Sequence, residues 1–135
     1  MRFKTKIRPS DRLWTEYIRL RDKGICFKCG KTIKNKRNSG VSHFRGRRKE
    51  SVRFDDDNCD LMCTIPCHQN WEHEKKIEGI SGAEYDGEYT IKKKAQLGEK
   101  RFNLLLVRER NIKKRDDEMD KLVIEAKIDI LKNNC

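Results

Sequence analysis

The spacing of the cysteines constrains this chain more than any other feature of its sequence. Five of the six cysteines fall in two short stretches: Cys26-x2-Cys29 followed by Gly30, and Cys59-x3-Cys63-x3-Cys67. In a CxxC turn two thiolates face one ion, and a following glycine supplies the backbone freedom that such turns need. A second cysteine pair completes a tetrahedral zinc site. We therefore predict a structural zinc ion held by Cys26, Cys29, Cys63 and Cys67.

The second stretch holds one cysteine more than such a site needs. Pro66 breaks any continuous helix between Cys63 and Cys67, so we predict a turn that leads into a helix there. The competing pair, Cys59 with Cys63, has equally suitable spacing. Whichever cysteine is left over is expected to be a buried structural thiol.

Length and composition limit the architecture. The 135 residues suit one compact domain, or a compact head with a helical extension. Charged residues make up 41% of the chain and hydrophobic residues 35%, so the core must be small and a metal would help to hold it. No apolar run reaches the ~20 residues of a membrane span, and no signal peptide is recognisable. We therefore predict a cytoplasmic protein, in a reducing compartment where cysteines favour metal sites over disulfides.

The positive charge is concentrated at the N-terminus and in residues 31–53, and the formal net charge is +11. This distribution favours a polyanion, and therefore a nucleic acid, as partner rather than a membrane. A solvated basic surface is the alternative explanation. The predicted phosphate contacts lie around the turn residue Gly46 and are Arg45, Arg47, Arg48, Lys49 and Arg53.

Hydrophobic periodicity predicts a mixed α+β chain. Ser10 is the predicted N-cap of a helix that ends at Gly24, and residues 41–44 and 51–54 alternate like the strands of a hairpin. Further helices are predicted at 68–77, at 89–97 and 102–107 around Gly98, and over 112–130. The predicted organisation is a basic arm (1–9), a zinc-stabilised domain with the order β, β, α (10–78) and a helical extension (79–135). The extension could pack on the domain, pair with another copy or lie along DNA.

Two histidines are predicted to lie at the zinc site, and Asn58 is in the connection between the cysteine pairs. His43 is on the first strand, Asn58 follows a run of three aspartates, and His68 directly follows the last predicted zinc ligand. Such a set suits metal-assisted phosphodiester hydrolysis. One histidine acts as general base for water, and another N or O group holds a divalent ion near the leaving oxygen. Two histidines near a zinc site also occur without catalysis.

The order of these residues resembles the HNH (ββα-metal) endonuclease motif: Cys26-x2-Cys29, Ser42-His43-Phe44, Asn58, Cys63, Cys67-His68. It is most similar to the phage NinG (Rap) recombination nucleases. In that family a CxxC is followed by a small residue, His and an aromatic, then an Arg-aromatic strand, an Asn and a second cysteine pair. Arg53-Phe54 matches the Arg-aromatic element. The resemblance covers residues 13–78.

The resemblance implies a DNA endonuclease with an HNH head, an N-terminal helix and a helical tail, acting on branched recombination intermediates such as Holliday junctions. It implies that His43 is the general base, that Asn58 keeps His43 and the hairpin in orientation, and that His68 binds a catalytic Mg²⁺ or Mn²⁺ ion. The zinc ion is then purely structural. Symmetric cutting of a junction would need a homodimer, which the tail could form.

Three departures from the family pattern leave ligands open. Ser42 stands where many HNH enzymes have a metal-sharing Asp, so a second ligand must come from elsewhere. The candidates are Asn70, His73 and the run Asp55, Asp56, Asp57. The second cysteine pair is C-x3-C where CxxC is usual, which affects whether His68 or Asn70 faces the ion. His68 could instead be a zinc ligand in a site of three cysteines and one histidine, with Cys63 or Cys67 free.

The alternative function is a non-catalytic zinc module that binds DNA or RNA through its basic loop and tail, with His43 simply packed in the hairpin. Binding without cleavage in the presence of Mg²⁺ or Mn²⁺ would favour it. A third interpretation is an adaptor whose long helix binds a partner protein. That interpretation leaves the basic loop and the two histidines unexplained.

Overall fold

The computed structural model describes residues 6–71 and 87–134 of the chain. Its first helix, α1, spans Pro9–Arg21. The predicted cap is wrong, because the N-cap is Arg8, two residues before Ser10. Proline has the fixed φ that suits a first helical residue, and the Asp11 carboxylate accepts the N–H of Arg8 at 2.7 Å. These two features start the helix earlier than a serine cap would.

The sheet has two antiparallel strands: β1, Ser39–His43, and β2, Cys59–Cys63. Ser39 lies opposite Cys63, and His43 lies opposite Cys59. A wide helical turn, Thr64–His68, follows β2 and leads into helical residues 69–71. The order of strand, strand and helix is therefore as predicted, and the remainder of the helix predicted at 68–77 lies outside the described residues.

Two further helices complete the described chain: α2, Glu88–Arg110, and α3, Asp117–Asn133. Gly98 interrupts α2 with φ 79° and ψ 163°, which glycine adopts without steric cost, and this gives the two segments that the sequence predicts. Ile112 precedes α3 and is fully exposed, so the last helix begins later than predicted. No helix in these two ranges is both long enough and apolar enough to cross a membrane.

The sheet is buried on both faces. Leu61 and Met62 are adjacent in β2, so their side chains point to opposite faces of the sheet, and both are fully buried. Leu61 packs with Trp14 of α1 and Ile124 of α3, whereas Met62 packs in the cluster that contains Tyr89 of α2. The helical extension therefore packs on the head, which is one of its three predicted placements.

Burial on both faces also explains an error in the predicted hairpin, since residues 51–54 do not form its second strand. All five residues of β2 are buried, so its sequence lacks the alternation of apolar and polar residues that marks a half-buried strand. The segment at 51–54 does alternate. It contributes to a short 3-10 helix, Glu50–Val52, whose Val52 is buried in the same cluster as Tyr89.

Candidate metal centre and histidine site

The four cysteines predicted as zinc ligands lie together in the structure. Their sulfur atoms are all within 4.8 Å of one another. Cys63 Sγ is 3.6 Å from Cys26 Sγ and 4.0 Å from Cys29 Sγ. Four thiolates at the usual Zn–S distance of about 2.3 Å stand about 3.8 Å apart in a tetrahedral site, so the observed distances fit zinc. These cysteines could therefore hold a metal ion such as zinc.

Backbone turns place the thiols. The N–H of Gly30 donates to the carbonyl of Cys26 at 2.9 Å, and its φ of +72° is one that favours glycine. The N–H of Phe27 donates to the carbonyl of Leu61 at 2.8 Å, which joins the CxxC turn to β2. The other two cysteines come from the end of β2 and the wide turn after it. The cluster therefore connects the segment before β1 to the end of the hairpin.

The thiols perturb one another's ionisation. Burial opposes ionisation of Cys26, but N–H groups around its sulfur, including that of Cys63 at 3.4 Å, lower its pKa to about 7. Burial and the neighbouring sulfurs raise the pKa of Cys67. Four thiolates in this volume need a cation to balance their charge, so metal binding would release protons.

Cys59 lies apart from this cluster. It is fully buried at the opposite end of β2, and its S–H donates to the carbonyl of Arg53 at 3.6 Å. Burial raises the pKa of Cys59 to about 12, so it stays a neutral thiol. The group of potential ligands contains neither Cys59 nor His68. The structure thus assembles the four cysteines predicted first and leaves Cys59 as the buried thiol.

His43 stands at the end of β1 that is remote from the cysteine cluster, so the prediction that it lies at the zinc site is wrong. Its Nε2 lies 2.9 Å from the carbonyl oxygen of Arg53. A carbonyl only accepts, so in the neutral ring Nε2 carries the proton and Nδ1 carries the lone pair. Burial is the main cause that lowers the pKa of His43, to about 4, with a further contribution from the charge of Arg47. At pH 7 the ring is therefore neutral and has one basic nitrogen.

Asn58 connects the two backbone segments around this histidine. Its side chain is fully buried, and its Oδ1 accepts the N–H of Arg45 at 2.7 Å. Its Nδ2 donates to the carbonyls of Arg45 at 3.0 Å and Val52 at 2.9 Å. Arg45 follows His43 by two residues, and Val52 precedes Arg53, whose carbonyl accepts from the imidazole. This arrangement is what an orienting role for Asn58 requires.

The residues predicted to contact DNA fall into two groups. Arg45 and Arg53 are buried in ion pairs, Arg45 with Glu109 of α2 and Arg53 with Asp11 of α1. Nε and Nη2 of Arg53 donate to the two carboxylate oxygens of Asp11, at 2.9 and 2.6 Å. These pairs join the loop to two helices. The two arginines therefore have a structural role that requires no contact with a phosphate. The remaining three, Arg47, Arg48 and Lys49, are half-buried or exposed.

The candidates for a catalytic divalent ion do not form a common group. Among residues 6–71 and 87–134, the cysteine cluster is the single set of three or more Cys, His, Asp or Glu side chains close enough to share an ion. Ser42 is fully buried, with its hydroxyl 2.7 Å from that of Tyr89. The three aspartates all pair with cations: Asp55 and Asp57 with Arg108, and Asp56 with Lys127.

The remaining candidates are on the segment after β2. His68 is half-buried and Asn70 is exposed. They are two residues apart on a helical segment, so their side chains point in different directions. His73 lies outside the described residues. Within the described part of the chain, a second ligand beside His68 is therefore not in place.

Sequence reasoning missed a buried ion pair that supports the sheet. Lys93 of α2 donates to Asp60 of β2 at 2.6 Å, and both side chains are almost completely inaccessible. Gln96 donates to the other carboxylate oxygen at 2.8 Å. The signal was available, because a charged residue inside the apolar segment Cys59–Cys63 has to find a partner. Its partner on a distant helix could not be identified from spacing.

Comparison with known proteins gives no relative: no family model, no curated protein and no solved structure matches the chain.

Proposed function

We propose that this chain is a zinc-stabilised DNA endonuclease of the HNH type, which hydrolyses phosphodiester bonds in branched recombination intermediates. The observation that carries the proposal is the fixed imidazole of His43. Its Nε2–H donates to the Arg53 carbonyl, so its lone pair is on Nδ1, where it can accept a proton from water. Asn58 lies just before β2 of the same hairpin, and Cys63 of the cysteine cluster ends that strand. The order of these residues along the chain resembles the HNH motif.

Each part of the hairpin has its own role in this proposal. His43 is the general base for the attacking water, and Asn58 is a positioning residue. A zinc ion bound to the cysteine cluster stabilises the fold and takes no part in the chemistry. A phosphodiester that approaches His43 brings negative charge, which favours the imidazolium and raises the pKa of the ring. The bound substrate therefore makes His43 a stronger base.

The resemblance also implies a catalytic Mg²⁺ or Mn²⁺ ion, with His68 as its ligand and Asn70 or His73 as a second one. Such an ion supplies positive charge to the phosphate and to the leaving oxygen. The described residues do not complete a site for it. His68 directly follows Cys67 of the cysteine cluster, whereas His43 stands at the other end of the sheet.

The phosphate contacts and the subunit contacts of the proposal use surface residues. Arg47, Arg48 and Lys49 are assigned to phosphates, whereas Arg45 and Arg53 are not, because their ion pairs are buried. A homodimer for symmetric junction cutting would form through the exposed apolar side chains of α3. These are Met119, Leu122, Val123 and Ile130.

One observation favours a second candidate function, a zinc module that binds nucleic acid without cutting it. The hydroxyl of Ser42 is buried against Tyr89, and the three nearby aspartates pair with arginine or lysine. A divalent ion therefore finds no described carboxylate ready to bind it. In this second candidate, His43 is a packed histidine of the hairpin.

Cleavage assays separate the two candidates. Labelled linear, flap and four-way-junction DNA is incubated with the wild type, His43→Ala and His43→Gln, each with Mg²⁺, with Mn²⁺ or without added divalent ion. Glutamine retains an N–H donor for the Arg53 carbonyl but provides no base, so it is the matched control for the hydrogen bond. We expect the wild type to cut only with the added ion, and both variants to bind DNA without cutting.

Two results would contradict the nuclease proposal. If no substrate is cut by the wild type while all three proteins bind DNA, the binding module is the better account. If His43→Gln cuts as fast as the wild type, His43 is not the base. The zinc content of each variant is measured in parallel, and about one ion per chain shows that the variants retain the metal centre.

A further inference from the structure

A cavity lies between α1 and the loop that carries Arg47. Its volume is about 310 Å³, and its lining includes Arg12, Arg19 and Arg47 together with Asp11 and Thr15. A groove of about 600 Å³ also has Arg12 and Arg19 in its wall and continues to Lys36 before β1. The two spaces therefore share one row of arginines along α1.

The charge in the cavity is predominantly positive. Arg19 donates to uncharged acceptors, Ser39 Oγ at 2.9 Å and the Lys36 carbonyl at 3.1 Å, so its orientation is fixed and its charge is not neutralised. The Arg12 side chain contacts no hydrogen-bonding or charged partner among residues 6–71 and 87–134. Asp11 is the carboxylate of the cavity, and Arg53 already compensates it.

Glu16 is the carboxylate of the adjoining groove. It is exposed, and its Oε1 lies 3.9 Å from Nζ of Lys132. Arg12 and Arg19 therefore present guanidinium groups to the cavity and groove without a carboxylate partner among the described residues.

Arg53 connects this cavity to His43. Its guanidinium donates to Asp11 and, at 3.1 Å, to the backbone carbonyl of Arg47, and both of these residues line the cavity. Its own carbonyl accepts from His43 Nε2. The charges of Asp11 and Arg47 also act on the pKa of His43, which indicates a short separation. An anion in the cavity would therefore lie near the ring.

The row of arginines is longer than one phosphate group. Arg12 and Arg19 are separated by seven residues of α1, about two helical turns or roughly 10 Å along its axis. Guanidinium groups bind phosphate oxygens through paired N–H donors. This spacing suits successive phosphates of one strand better than a small free anion.

We propose that Arg12, Arg19 and Arg47 bind backbone phosphates of a DNA strand along α1, next to the phosphodiester presented to His43. This places α1 in the DNA interface, in addition to the loop that carries Arg48 and Lys49. The assignment of the reacting bond rests on the proposed function, whereas phosphate binding by α1 does not require cleavage.

The test is the salt dependence of DNA binding, measured by fluorescence anisotropy with a labelled four-way junction and no added Mg²⁺ or Mn²⁺. The proteins are the wild type, Arg12→Gln, Arg12→Lys and the double variant Arg12→Gln/Arg19→Gln. Arg12 has no side-chain bonds to described residues, so its substitution leaves the fold intact. The control is Lys100→Gln/Lys121→Gln, which removes the same charge from exposed positions of α2 and α3.

We expect Arg12→Gln to weaken binding about fivefold and to reduce the slope of log K against log salt by about 0.9, the value for one lost phosphate contact. The double variant should reduce the slope by about 1.8, and Arg12→Lys should keep most of it. The control should change the slope by less than half of the change in the double variant.

Equal slopes for the double variant and the control would overturn the inference. It would also be overturned if both Arg12→Gln and the double variant bind DNA with the affinity of the wild type. If the wild type binds through Arg12 and Arg19 but never cuts DNA, the inference stands and the proposed nuclease function fails. If the wild type cuts and the α1 variants bind normally, the function stands and this inference fails.

Discussion

The two ends of the same two-stranded sheet are held by different chemistry. At the Cys63 end, four thiols from two turns lie close enough to share a metal ion. At the His43 end, Asn58 makes three buried hydrogen bonds to the backbone, and Arg53 joins the loop to Asp11 of α1. A small and highly charged chain thus has four potential metal ligands at one end, and hydrogen bonds with ion pairs at the other. The candidate base stands at the end that needs no metal to position it.

The largest predicted effect is loss of the metal at the Cys63 end. Structural zinc sites contribute on the order of 10 kcal/mol, which is comparable with the whole stability of a typical domain. A chelator at pH 7, or Cys26→Ser, should therefore abolish the cooperative thermal transition seen by circular dichroism. Cys59→Ala is the control and should keep about one zinc ion per chain. An unchanged transition in the chelated protein would show that the cysteines do not hold a structural metal.

The next largest effect is expected in the middle of the sheet, where Asp60 pairs with Lys93. Asp60→Ala leaves a buried ammonium without its carboxylate and should cost about 3–5 kcal/mol in urea unfolding. The double variant Asp60→Leu/Lys93→Met removes both charges and should recover much of this loss. A cost below about 1 kcal/mol for the single variant would mean that water reaches Lys93.

The substitution Asn58→Ala tests whether the two ends of the sheet are stabilised independently. It removes three buried hydrogen bonds and leaves backbone groups of Arg45 and Val52 unpaired, so we expect a loss of about 3 kcal/mol. Zinc content and zinc affinity should stay at their wild-type values, because the cysteine cluster is at the other end of the sheet. If zinc affinity falls together with stability, the two ends are not independent.

A smaller effect is predicted for the pH dependence of stability. The folded-state pKa of His43 is about 4, below the value of about 6.5 for an unfolded histidine. The unfolded chain therefore binds the proton more readily, and the contribution of His43 is complete above pH 6.5 and is lost as the pH falls towards 4. Its size is about 2–3 kcal/mol.

Urea unfolding at several pH values measures this contribution as a difference between two proteins. Protonation of the cysteines also destabilises the fold at low pH, so the wild type is compared with His43→Gln, which retains the cysteine cluster. The stability of the variant relative to the wild type should rise as the pH falls from 7 to 4. Parallel curves would show that His43 is not buried in its neutral form.

The sequence predicts the Cys63 end of the molecule better than the His43 end. Cysteine spacing is a local property, and it led to the same four thiols that the structure brings together. The choice against Cys59 followed from the turn at Pro66. Helices with buried apolar residues three or four positions apart, such as Ile124 and Ile128 of α3, are likewise visible in the sequence.

Features that depend on distant partners were not predictable. β2 is buried on both faces by helices from opposite ends of the chain, so its pattern gives no period of two. The arginines of the basic loop look alike in sequence, yet Arg45 and Arg53 find carboxylates on α2 and α1, whereas Arg48 stays exposed. The partner of a charged residue is set by packing and cannot be read from its neighbours.

The central claim is that His43 acts as a general base at the end of the sheet remote from the cysteine cluster, and chemical rescue tests it most directly. Single-turnover cleavage of a four-way junction is measured for the wild type and His43→Ala, with and without added imidazole. The account predicts that His43→Ala is slower by about 10²–10⁴-fold. It also predicts that neutral imidazole restores part of this rate while leaving the wild type unchanged. Wild-type cleavage by His43→Ala, or no rescue although it binds DNA and zinc normally, would contradict the account.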